Sequence, residues 1–188
     1  IARHLEHLRT DVRRLDQSVE AMLRFMRPAE LKISEFNPND LLTELGARVK
    51  PDPVSVTLQL DPELPAISAD RAMVSEALAN LIQNAIQAMP EGGEVTLRSH
   101  RRDGTVEIEV SDTGHGIAPD QIERVFDLYY TTKREGNGLG LPLALRAIEL
   151  NQGVIEIASN LGQGTTCTVR FPLSADAQGA HADSNDSQ

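Results

Sequence analysis

The stretch Asn80-Leu81-Ile82-Gln83-Asn84-Ala85-Ile86-Gln87-Ala88-Met89 places three amides at helical spacing. Asn80, Asn84 and Gln87 follow at i, i+4 and i+7 and share one face. Val74, Leu78, Leu81, Ala85 and Met89 cover the opposite face, which predicts a long helix over 69–89. From Ala77 to Pro90 there is no charged residue. A solvated helix face is normally built from Glu, Lys or Arg, and Asn is a poor helix former. An uncharged amide face in mid-helix therefore points to a polar ligand, the competing reading being a merely polar solvated face. Amide oxygens also suit a hard cation such as Mg²⁺, which keeps most of its waters.

Around this helix the pattern alternates strands and helices. Asn37-Pro38 starts a helix, Asn as cap and Pro in the first turn, and that helix runs to about Val49. Residues 29–37 before it read as a connector, and the alternation of Val54 to Leu60 reads as a strand. Residues 94–100 and 105–110 are strands joined through Asp103-Gly104, a hairpin signal. Residues 120–126 form a short helix, 128–137 a loop and 139–151 a helix; 154–159 and 165–173 are the last strands. Upstream, Ile1, Leu5, Leu8, Val12, Leu15, Val19, Met22 and Met26 keep a heptad rhythm that Pro28 stops. This stripe predicts one long helix seeking a partner helix, from a second copy or from sequence beyond Ile1; packing on its own domain is the alternative. The expected organisation is therefore 1–28, a helix; 29–173, one domain; and 174–188, a tail too polar to bury surface.

Composition narrows the function classes. The chain has 188 residues, 40% of them hydrophobic, and a formal net charge of −10. That charge argues against nucleic-acid binding, which needs a basic face. No apolar run approaches the ~20 residues of a membrane span. The single Cys, Cys167, excludes a disulfide framework and a Cys-rich zinc site. It suits a reducing, cytoplasmic compartment, and leaves room for a membrane anchor upstream of Ile1.

Three further segments carry chemistry. Asp112-Thr-Gly114-His-Gly116-Ile117 stands at a strand end, where Asp112 offers a fixed acceptor and glycines let the backbone approach a flat ligand. Alone, such a loop is most often a turn, and His115 reads as exposed and incidental. Gly136-Asn-Gly138-Leu139-Gly140-Leu141 leads straight into a helix, whose N-terminal N–H groups favour anions. Just before it, Phe126-Asp-Leu-Tyr-Tyr-Thr-Thr132-Lys133 holds the only lysine between Lys50 and the C-terminus, a point charge suited to phosphate or an ordinary surface lysine.

In this order, the four segments resemble the N box, first glycine box, F box and second glycine box of the sensor histidine kinases. These share a superfamily with DNA gyrase, the mismatch-repair ATPases and the large ATP-driven chaperone. The resemblance covers residues 1–173 and is most similar to the nitrogen-regulation type, on the run Tyr129-Tyr-Thr-Thr-Lys133 to Leu141. It implies an α+β fold: a two-layer α/β sandwich of the Bergerat type, a mixed sheet with helices on one face, preceded by the long heptad helix. It implies ATP and Mg²⁺ as cofactors. By the same resemblance Asn84 would coordinate Mg²⁺, with Asn80 beside it; Gln87 departs from the pattern, standing near the phosphates where many relatives carry a basic or aromatic residue. Asp112 would accept from the adenine amino group, with Gly114, Gly116 and Ile117 backing the ring. Phe126 would anchor the lid hinge, and Thr132 and Lys133 would face the phosphates. Gly138 and Gly140 would let the lid close on the phosphates, with Gly136, Leu139 and Leu141 also among the nucleotide-binding residues.

The implied activity is protein-histidine kinase, with a homodimer through the N-terminal helix and a response-regulator receiver domain as partner. Asn80, Asn84 and Lys133 carry the catalytic expectation. The hydrolysing relatives place a Glu where Asn80 stands; a carboxylate can activate water and an amide cannot, which favours transfer over hydrolysis. His7-Leu-Arg-Thr10 departs from the acceptor motif at Leu8 and Asp11, and Leu23 to Pro28 looks like the end of the second hairpin helix. The phospho-accepting His is thus expected upstream of Ile1, so this chain alone would not autophosphorylate. The alternatives are an ATP hydrolase of the same fold and a non-catalytic nucleotide-sensing module.

Overall fold

The computed structural model describes residues 30–49, 53–133 and 137–173. The heptad segment 1–28, Gly136 and the 174–188 tail lie outside the described residues.

The order is β1 (Ile33–Phe36), α1 (Pro38–Arg48), β2 (Val54–Leu60), β3 (Ile67–Asp70), α2 (Arg71–Gln87), β4 (Gly93–Arg102), β5 (Thr105–Asp112), α3 (Pro119–Ile122), α4 (Gly140–Leu150), β6 (Val154–Asn160) and β7 (Gly164–Pro172). Five strands form one mixed sheet in the order β2-β4-β5-β7-β6, while β1 and β3 pair separately. Only β2 and β4 run parallel within the larger sheet; its other neighbours are antiparallel.

Local chemistry sets these elements. The side chain of Asn37 accepts from Asn39 N at 2.9 Å and starts α1. The β4–β5 turn takes Asp103 and Gly104 through φ of 48° and 78°, the geometry that favours Asp-Gly in a two-residue hairpin. Three expectations need correction. Ile33–Phe36, read as connector, is a strand paired with Ile67–Asp70. The helix expected over 69–89 begins at Arg71, because Asp70 ends that strand and caps the helix through Ala72 N and Met73 N. The helix expected over 120–126 is limited to Pro119–Ile122; turns follow it to Tyr130.

Period-two alternation gives the sheet one apolar face. Leu97, Val110 and Cys167 stand in one cross-strand row, and Ser99, Ile108 and Val169 in the next. These side chains are buried against a helical layer that supplies Leu41, Leu42, Val74, Leu78, Leu81 and Ile148. On the opposite face Glu107 is buried beneath Arg170 Nε at 2.7 Å, and Arg170 also reaches Glu156 at 2.7 Å. A charge buried in this way is satisfied by its partners. Among the described residues no buried side-chain nitrogen or oxygen lacks a hydrogen bond, and no helix is long and apolar enough to cross a membrane.

Candidate functional site

The register that builds the core also builds the site. Two residues beyond Val110, Asp112 emerges on the same face of β5, directly opposite Thr165 of β7. The sheet thus ends its apolar rows in a carboxylate and a hydroxyl. Gly114 N donates to Asp112 Oδ1 at 2.8 Å and fixes its orientation. Desolvation pushes the Asp112 carboxyl above its ordinary range, opposed by hydrogen bonds from Gly114 and Thr165 and by the charges of His115 and Lys133.

Above this corner lies a cavity of about 720 Å³, within the range of small-ligand sites. The amides of Asn80, Asn84 and Gln87 line it, as their shared face on α2 requires. So do Asp112, Gly116, Ile117, Thr132, Lys133, Gly138, Gly140 and Leu141. Val110, Ile157 and Cys167 form an apolar floor beside Asp112. The cavity therefore has one apolar end with a single oriented acceptor and one end rich in amides and backbone.

Three of the expected residues stand behind this wall. Gly114 holds Asp112 rather than facing the cavity; Phe126 packs on the core; Leu139 is buried at the start of α4. Gly136 lies outside the described residues. The glycine loop has a different constraint from the one its sequence suggests. Gly116 has φ of 69°, and a Cβ there would lie 2.1 Å from Asn160 O. The loop is packed against the tip of the β6–β7 hairpin as well as facing the cavity. Gly162 N donates to His115 O at 2.7 Å, and Ile117 N donates to Ser159 Oγ at 2.8 Å. Sequence reading missed Leu161 and Thr165, which line the cavity, and Gly164, whose Cβ would meet Asp112 O at 1.9 Å. The run Gly162-Gln-Gly164 was the available signal; it read only as a strand connector. The His115 side chain is exposed, and its backbone ties α2 to the hairpin through Ala88 O and Gly162 N.

At the amide end, α4 begins without a capping side-chain bond from Leu139, in contrast to α1 and α2. Its first turn points into the cavity with Gly140, where an added Cβ would lie 3.7 Å from Asn84 Nδ2 and 3.9 Å from Asn80 Oδ1. An uncapped helix start carries partial positive charge and suits an anion. Lys133 Nζ reaches Gln87 Oε1 at 2.8 Å and Asn84 Oδ1 at 3.3 Å. Desolvation lowers the Lys133 pKa from its ordinary value, opposed by the Asp112 charge. The amide oxygens of Asn84 and Gln87 thus already converge on a positive charge, and as hard neutral donors they fit Mg²⁺.

Residues 69–175 match the model of the histidine kinase-, DNA gyrase B- and HSP90-like ATPase family. The chain is 35% identical to the sensor histidine kinase ZraS of Escherichia coli K12 over 164 residues, 85% of this chain and 35% of that protein. It is 32% identical to the signal transduction histidine-protein kinase AtoS of the same organism over 181 residues, 90% of this chain and 29% of that one. The chain spans about a third of the length of such relatives. Among solved structures, it resembles full-length ShkA in complex with AMPPNP, with a TM-score of 0.78, 28% identity and coverage of 93% of this chain and 39% of that one. It also resembles histidine kinase ThkA in complex with the response regulator TrrA, with a TM-score of 0.77, 25% identity and coverage of 92% and 51%.

Proposed function

Since this chain belongs to the histidine kinase-, DNA gyrase B- and HSP90-like ATPase family, we propose that its cavity binds Mg²⁺–ATP and presents the terminal phosphoryl group to a histidine, for relay to a response-regulator aspartate. The observation that carries this reading is the polarity of the cavity: one oriented carboxylate over an apolar floor at one end, and amides, a lysine and an uncapped helix start at the other.

Asp112, held by Gly114 N, accepts from the exocyclic amino group of adenine, while Val110, Ile157 and Cys167 bury the ring. Asn84, with Asn80 one turn before it, turns its amide oxygen to the metal. When bound, Mg²⁺ neutralises phosphate charge and fixes the phosphates for in-line transfer. Lys133 and the start of α4 hold the remaining phosphate charge. Asn80 cannot act as a general base, so the site keeps water unactivated and leaves attack to a protein nucleophile. Such a nucleophile is a neutral imidazole nitrogen: it bonds to the γ-phosphorus as the bond to the β–γ bridging oxygen breaks, leaving ADP. Catalysis is then largely positioning and charge neutralisation.

ZraS and AtoS are named as sensor and signal-transduction kinases, and the ThkA complex contains a response regulator. These support the relay proposed for this chain; we further assign dimerisation to the heptad segment 1–28 and take a histidine on a hairpin as the acceptor. The test mixes the chain with Mg²⁺–ATP and a separately produced acceptor hairpin. Acid-labile, base-stable label on the hairpin supports the kinase, and Asn84→Ala should reduce it at least ~100-fold, as loss of a group stabilising the transition state does. Steady phosphate release without the hairpin would instead identify a hydrolase.

A further inference from the structure

Lys133 brings a positive charge to the very oxygen that suits a metal. Its ammonium lies 3.3 Å from Asn84 Oδ1, 3.5 Å from Asn84 O and 2.8 Å from Gln87 Oε1. An ammonium has three donors and no acceptor, so three oxygens at one point meet all of its needs. Gln87 stands three residues beyond Asn84 on α2, the spacing at which two side chains meet. Lys133 is only partly exposed there. Two cations cannot share Asn84 Oδ1, since like charges a few ångströms apart in a half-buried site repel strongly.

We propose that Lys133 is a tethered stand-in for the metal: Gln87 and Asn84 hold it in the cation seat of the free chain, and metal–nucleotide binding exchanges it onto the phosphates. Gln87 is then a positioning residue that sets how much Mg²⁺ the site requires. A neutral amide suits this part, because a carboxylate would hold the lysine too firmly and a basic side chain would expel it. The exchange leaves the released charge beside the new anion. This inference rests on the reading of the cavity as a Mg²⁺–ATP site.

The test uses ADP, which lacks the terminal phosphate. Calorimetry follows ADP binding by the whole chain across a Mg²⁺ titration, for the parent, Gln87→Leu, Lys133→Met and the double variant. The Mg²⁺ concentration at half-effect should fall about three- to tenfold in each single variant, the range expected for losing an ordinary hydrogen bond. The double variant should shift no further than Lys133→Met. An unchanged or raised half-point in Gln87→Leu overturns the proposal. So does an additional shift of equal size in the Lys133→Met background, because Gln87 would then act without the lysine. If the folded parent binds no ADP at any Mg²⁺ concentration, the nucleotide reading itself falls, and this inference with it.

Discussion

Asp112 shows how one residue divides between stability and recognition. Desolvation raises its pKa, so the folded chain takes up a proton more readily than the unfolded one. The linkage sign follows: this carboxylate weakens the fold above its folded pKa, and the penalty fades as pH falls through it. Asp112→Asn keeps an oxygen for Gly114 N and Thr165 N but removes the charge. Its melting temperature without nucleotide should match or exceed the parent's at pH 7, with the gain shrinking in acid, while its affinity for ATP falls at least tenfold. Thermal scans at several pH values and a binding titration check both halves. At this scale the sequence was informative about type and poor about contact. Asn80, Asn84 and Gln87 were legible because helical spacing alone puts them together. The meeting of Lys133 with Gln87 was not, because a loop of 128–137 without periodicity carries no rule for where its side chains reach. Gly116 and Gly164 were visible as glycines, yet only the fold brings backbone oxygens of Asn160 and Asp112 against their Cβ positions.

Among elements, α2 depends on its entry. Asp70 is buried, accepts from Ala72 N and Met73 N, and also takes Lys32 N at 2.8 Å, tying β1 to the start of the helix. Desolvation pushes its pKa up, but the three backbone donors, Lys32, Met73 and Ala72, outweigh this and hold it below the ordinary value. The resulting stabilisation is present above the unfolded pKa and is lost as pH falls through the lowered folded one. Asp70→Ala should cost about 1–2 kcal/mol in urea unfolding at pH 7, with the gap narrowing in acid. The same residue explains why β3 was hard to read. Ile67-Ser-Ala-Asp70 is four residues long and runs into α2 without a Gly or Pro break, so the helical periodicity absorbed its end. β1 is equally short and largely exposed, and its pairing with β3 lies outside local pattern. By contrast Val54–Leu60 and the turn of the β4–β5 hairpin were legible, since alternation and an Asp-Gly turn are local signals, although both hairpin strands run two residues past their expected ends.

Over the whole molecule, the charge of −10 located no site. The absence of charge along one helix face did, and the cavity then gathered four segments spread between Asn80 and Leu141. Their order along the chain was legible; the parallel pairing of β2 with β4 across α2 was not, because non-local pairing leaves no periodic trace. The floor of that cavity also holds the sole thiol. Burial, and then the Asp112 charge, push Cys167 up to about 12. Since only a thiolate reacts at a useful rate, a thiol reagent meets Cys167 slowly, through the cavity whose floor it forms or when β7 parts from its neighbours. The chain therefore contains a single-site clock for access to the cavity floor. Labelling should slow about a hundredfold when ATP is present at a hundred times its dissociation constant, provided the opened form does not bind. A labelling rate indifferent to ATP would mean that β7 opens without releasing nucleotide, and the clock would then time the strand and not the site.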